Sequence, residues 1–246
     1  MEWYLEPWFW FLMIIAVMFI AVAVQSKFKK TFKIYGATPN SSGKSGAQIA
    51  QELLTKNGID YVKVVSGNKK LGDNFNPTNK TITLSPEVYG SASIAAEAIA
   101  AHEVGHAVQW HKSYVGIKVR DFFMPVAKAG SVVAGSTINI AFMIIFFGSL
   151  FFGSIPVFSV WMLAIGAVGL AAVALFQIVT LPVEFNASAR ASKILANNGY
   201  TGTENQDANG IKKMLNTAAM TYVVAVMQSL VQIMYLLALI MTMRRN

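Results

Sequence analysis

Three stretches without a formal charge limit what this chain can fold into. Residues 7–24, 129–183 and 214–243 contain no Asp, Glu, Lys or Arg, and the middle stretch is 55 residues long. A bilayer-spanning helix needs about 20 mostly apolar residues. The middle stretch therefore fits two spans, divided near Gly153-Ser154-Ile155-Pro156, where glycine and proline favour a turn. Four spans are predicted, at 5–25, 130–152, 157–180 and 217–243. Composition agrees: 13% of residues are charged, against roughly 25% in an ordinary soluble domain. Gln228, Ser229 and Gln232 interrupt the last span, which suits packing against other helices better than facing lipid.

The first span reads as a retained anchor. Its N-terminal region holds Glu2 and Glu6 and no basic residue, the reverse of a secretory leader. Of the 20 basic residues, 14 fall between Lys27 and Lys128, and four more are Arg190, Lys193, Lys212 and Lys213. The positive-inside rule places both segments in the cytoplasm. An even number of spans separates them, so the two assignments agree; Arg244 and Arg245 run against the rule. The net charge of +8 is explained by this bias and by anionic lipid headgroups. No nucleic-acid motif accompanies it. With no cysteine in the chain, any metal must be held by nitrogen and oxygen.

Between the first two spans, a helix over 46–56 is predicted, capped by Ser45 and ended by Gly58. Residues 61–65 and 81–84 read as strands of a small antiparallel sheet, with turns between them. Residues 81–84 are the candidate edge for holding an extended peptide. Gly43-Lys44-Ser45 is not a phosphate loop, because Thr38 stands where its first glycine belongs.

The chemistry concentrates in a helix predicted over 91–110. There His102-Glu103-Val104-Gly105-His106 sets two imidazoles on one helical face, four positions apart. This is the HExxH arrangement, in which the histidines bind zinc and the glutamate handles a water proton. Gly105 weakens the helix relative to alanine, by about 1 kcal/mol, and its use is close approach by another segment. A catalytic zinc needs a third protein ligand. His111 lies off the ligand face. Glu184 is the one acidic residue between Asp121 and Glu204, at the cytoplasmic end of the third span. A new helix is predicted to start after Pro182 and run over 183–196, with Glu184, Ala187, Ser188 and Ala191 on one stripe. Its small residues allow a close approach to Ala101 and Gly105. Ser188 is placed to orient a ligand, and Tyr89, Tyr114, His111, Asn186 and Arg190 are candidates for stabilising an oxyanion.

With both motifs in view, the chain resembles the YugP-like family of neutral zinc metallopeptidases, multi-pass membrane proteins of bacteria. The resemblance rests on residues 100–109 and 181–191, and extends to Ser45-Gly46-Ala47 and the Asn76-Pro77 turn. More remotely the chain is similar to HtpX-like and CAAX-prenyl membrane proteases, whose third ligand begins a Glu-x-x-Ala-Asp pattern. Glu184 and Ala187 match that pattern, but Ser188 stands in place of the aspartate. The resemblance implies zinc and peptidase activity and names no substrate.

The fold class expected is a mostly α membrane protein with about four transmembrane helices and a small α+β, zincin-like cytoplasmic domain. Its parts are an anchor at 1–26, a metal-binding domain at 27–128 and two spans within 129–183. A helical segment at 184–213 carries the third ligand, and a last span lies within 214–246. The function expected is zinc-dependent hydrolysis of a peptide or membrane-protein substrate at the cytoplasmic side of a bacterial plasma membrane. Glu103 is the catalytic residue, and His102, His106 and Glu184 are the metal ligands. The alternative is a non-catalytic zinc-binding scaffold or sensor. A site-2 type intramembrane protease would need an Asp-Gly ligand motif in a later span, and a metal transporter would need ionisable residues inside its spans. Oligomeric state is left open.

Overall fold

The structure, a computed structural model, describes residues 6–200 and 206–245. Parts of the expected segments 1–26, 184–213 and 214–246 (residues 1–5, 201–205 and 246) lie outside the described residues. In chain order the elements are α1 (Pro7–Gly36), α2 (Gly46–Lys56), β1 (Lys63–Ser66), β2 (Asn74–Asn76), β3 (Thr81–Leu84), α3 (Pro86–Tyr89), α4 (Ile94–His111), α5 (Val115–Phe152), α6 (Val157–Asn197) and α7 (Gln206–Arg245). The chain is mostly helical. α1, α5, α6 and α7 are long and apolar enough to cross a membrane, and the protein is a multi-pass membrane protein. The turn between α5 and α6 falls on Gly153 to Pro156, and Gly153 takes a left-handed φ of 62°.

The chain divides into two compact units. One comprises residues 1–23, 119–180 and 222–246. Its surface carries large apolar side chains such as Phe151, Trp161 and Val168, which an aqueous protein would not leave bare in such density. Within it α5 and α6 cross on glycine. A Cβ at Gly169 would stand 2.6 Å from the carbonyl oxygen of Gly130, and one at Gly130 would stand 2.8 Å from that of Gly169. Without a hydrophobic drive between helices in lipid, such backbone approach is a main source of packing energy.

The other unit comprises residues 24–118 and 181–221. Ser45 caps α2 through a reciprocal capping box with Gln48, and α2 buries Ile49, Leu53 and Leu54. Ser93 caps α4, its side chain accepting from the Ala96 N–H. The core joins these two helices to Phe75, Ile82, Leu84, Leu195 and Met214.

Two expectations need correction. The sheet is mixed, with order β1-β3-β2: β1 pairs parallel to β3, and β2 pairs antiparallel to it. Thr81–Leu84 is thus the central strand, hydrogen-bonded on both sides, and offers no edge. Nor does a new helix begin after Pro182, which lies inside the continuous 41-residue α6. Its ring removes one backbone donor, a loss that long apolar helices tolerate when neighbours pack around them.

Candidate metal centre

α4 supplies two groups of the centre and α6 the third. His102 and His106, one turn apart, meet edge to face with ring centroids 4.7 Å apart. Glu184 Oε2 lies 3.2 Å from His102 Nε2 and 3.5 Å from His106 Nε2. Both imidazoles thus present the same nitrogen to the same carboxylate oxygen, and Glu184 is buried. One donor atom from each residue lies within 4.8 Å of the others. A tetrahedral ion with bonds of about 2.0–2.1 Å holds its ligand atoms about 3.3–3.4 Å apart, close to both observed separations. Two imidazole nitrogens and a carboxylate oxygen are also donors that zinc accepts. The residues therefore fit the metal. Burial alone would raise the carboxyl of Glu184, but hydrogen bonds and charge from the two histidines outweigh it and hold it well below the usual carboxylate range.

Small side chains bring the helices close enough. A Cβ on Gly105 would stand 2.6 Å from the carbonyl oxygen of Ala187, a distance no side chain tolerates. Gly105 lies between the two histidines in the motif, and Ala187 lies one turn after Glu184. The approach expected of this glycine is present, and it brings together the two helices that carry the candidate donors.

The outward imidazole nitrogens are also engaged. His102 Nδ1 lies 3.2 Å from Ser188 Oγ, and His106 Nδ1 lies 3.0 Å from Gln109 Oε1. The Gln109 amide nitrogen donates to the carbonyl oxygen of Val183 (2.9 Å) and to Asn186 Oδ1 (3.0 Å). With both amide hydrogens committed, Oε1 is left to accept, so His106 carries its proton on Nδ1 and turns the Nε2 lone pair inward. Gln109 is fully buried. Sequence reasoning gave it no role, although its place three positions after His106 puts it on the same face.

Glu103, next to His102 on α4, is buried, at 7% exposure. Burial pushes its carboxyl up to about 7; the Glu184 and Asp73 charges add to the rise, while His102 and the N–H of Phe75 oppose it. That amide belongs to β2, which the sequence reading treated as turn, and it ties the sheet to the motif.

The remaining candidates separate into two sets. Asn186, Arg190 and Tyr114 are gathered: Arg190 Nε donates to Asn186 Oδ1 at 2.7 Å, and the guanidinium lies 5.8 Å from the centre of the Tyr114 ring. His111 is instead hydrogen-bonded to the Tyr61 hydroxyl at 2.8 Å, and Tyr89 packs against the apolar core.

Comparison with known proteins gives two matches. A family described as "Putative neutral zinc metallopeptidase" matches residues 10–241. A Bacillus subtilis (strain 168) protein named "Putative membrane protease YugP" is 34% identical over 220 residues, covering 89% of this chain and 91% of that protein. No solved structure matches.

Proposed function

The chain belongs to the family described as "Putative neutral zinc metallopeptidase", and from that premise we propose that it is a gluzincin-like zinc endopeptidase of a bacterial plasma membrane. Its substrate is a peptide or a membrane protein, and its active site faces the cytoplasm. The observation that carries the reading is the convergence of His102, His106 and Glu184 beside a buried glutamate on the same helix.

His102 and His106 through Nε2, and Glu184 through a carboxylate oxygen, would hold the ion. When bound, zinc supplies Lewis acidity that acidifies water and polarises the scissile carbonyl. Glu103 accepts the proton that water loses as its oxygen bonds to the carbonyl carbon. As the C–N bond breaks, Glu103 returns that proton to the departing amine, so no net proton is consumed. Gln109 fixes the tautomer of His106, and Ser188 hydrogen-bonds the outward nitrogen of His102 and so orients that ring. Arg190, Asn186 and Tyr114 are the candidates for meeting the developing oxyanion, with Arg190 the strongest because its charge is permanent.

Two substitutions test the assignment. Glu103→Gln should bind zinc with unchanged stoichiometry in metal analysis and lose at least about 10³-fold in peptide hydrolysis. Glu184→Ala should lose zinc as purified. If Glu103→Gln hydrolysed peptide at the wild-type rate, Glu103 would not be the base. A wild-type protein that binds zinc but cleaves none of a broad panel of peptides and membrane proteins would favour the scaffold or sensor reading.

A further inference from the structure

Away from the metal centre, α1 and α7 enclose a groove of about 370 Å³. Lys27 lines it from α1, and Lys212 and Lys213 line it from α7. All three are exposed, and among the described residues none forms an ion pair and no carboxylate lines the groove. Asp207, one turn or so earlier on α7, is buried and accepts from the Ser41 N–H. Asn209 and Asn216 add neutral donors to the wall, while Val24 and Met220 make it apolar.

The placement of these lysines along the chain is as telling as their charge. Lys27 is the first charged residue after the uncharged stretch of α1, and Lys213 is the last before the uncharged stretch of α7. The cationic wall thus sits where two spanning helices change from apolar to polar. Val24 precedes Lys27 by about one turn and Met220 follows Lys213 by two, so apolar lining continues from the lysines toward both stretches. A ligand matching this groove carries a phosphate-like anion at one end and hydrocarbon at the other.

We propose that the α1–α7 groove is a binding site for the headgroup of an anionic phospholipid. The lysine ammonium groups pair with the phosphodiester, Asn209 and Asn216 hydrogen-bond its oxygens, and the acyl chains leave past Val24 and Met220. Lysine suits this task because its flexible stem lies along apolar surface while the ammonium stays at headgroup level. Juxtamembrane cations are each favourable toward anionic lipid, and basic pockets between membrane helices concentrate that preference.

The test uses the full chain in an uncharged detergent, titrated with dioleoyl phosphatidylglycerol and followed by native mass spectrometry. The variant Lys27→Gln/Lys212→Gln/Lys213→Gln should bind at least about tenfold more weakly. Lys29→Gln/Lys30→Gln/Lys33→Gln removes the same charge from α1 outside the groove and should change affinity by no more than about twofold. Asn216→Trp keeps every lysine and fills the groove; it too should weaken binding about tenfold, and it carries the test if the groove triple variant does not fold. Dioleoyl phosphatidylcholine should not compete, nor should inorganic phosphate, which lacks the acyl chains. Equal losses in the two triple variants would reduce the site to a diffuse basic surface and overturn the proposal. Displacement of the lipid by inorganic phosphate, or equal affinity for phosphatidylcholine, would overturn it as well.

Discussion

Gln109 is the side chain through which the ligands from two helices are held in one arrangement. It receives the outward proton of His106 and gives both amide hydrogens to α6, at Val183 and Asn186. Removing such an orienting partner lowers metal affinity by about 10- to 100-fold in comparable sites. Gln109→Ala should show a loss of that size in competition with a zinc chelator. Gln109→Glu keeps an acceptor for His106 but sets carboxylate oxygen against the Val183 carbonyl and Asn186 Oδ1. It should weaken zinc less than the alanine variant does while lowering thermal stability more. Equal zinc affinity in wild type and Gln109→Ala would remove the orienting role. His102, His106 and Glu184, which the structure gathers into one group of donors, were readable as candidates from residue type and spacing. Gln109 was not, because a single glutamine on a helix face carries no metal signature until the partner it touches is known.

At the scale of elements, helix contact distance decides whether the donors meet. Gly105 against the Ala187 carbonyl, at 2.6 Å for a built Cβ, leaves no room for even one methyl group. Gly105→Ala should force α4 and α6 apart, with a stability loss of about 1–3 kcal/mol and a weaker hold on zinc. Melting in detergent and chelator competition read these two effects separately. An alanine variant with wild-type values for both would mean that the helices accommodate the methyl group. The helices themselves were legible: Ser45 announced the cap of α2, and the uncharged runs announced the spans, whereas the Ser93 cap of α4 was not read. β2 was hidden because Asn74 and Asn76 favour turns, and only burial of Phe75 in the core recruits that segment as a strand. Strand order and direction were hidden for a related reason. β1 and β3 pair across an intervening strand, and such pairing is decided by packing against α2 and α4 rather than by local propensity. Pro182 misled because its local preference to begin a helix loses to the packing that keeps α6 continuous.

At the scale of the whole molecule, a buried carboxyl on α4 contributes to the response of stability to pH. Glu97 on α4 is fully buried, and among the described residues neither carboxylate oxygen has a hydrogen-bond partner. Burial, reinforced by the charge of Asp207, pushes it up to about 8 from its ordinary 4.5. Below pH 4.5 the folded and unfolded chains both hold the proton. Between 4.5 and about 8 the folded chain keeps a proton that the unfolded chain releases, so stability falls as pH rises. Glu97→Gln should therefore match wild type near pH 4.5 and melt progressively higher as pH rises, with the difference levelling above about 8. A melting-temperature difference that stays constant across this range would show that Glu97 does not titrate as described.

The continuity of α6 also bears on how the protein is made. The ribosome releases both histidines early, but Glu184 emerges only after all of α5 and most of α6 have been synthesised. A nascent chain cannot assemble the three-donor set until two further hydrophobic segments have been delivered to the insertion machinery. A donor set built this way is complete only once most of the chain has been synthesised.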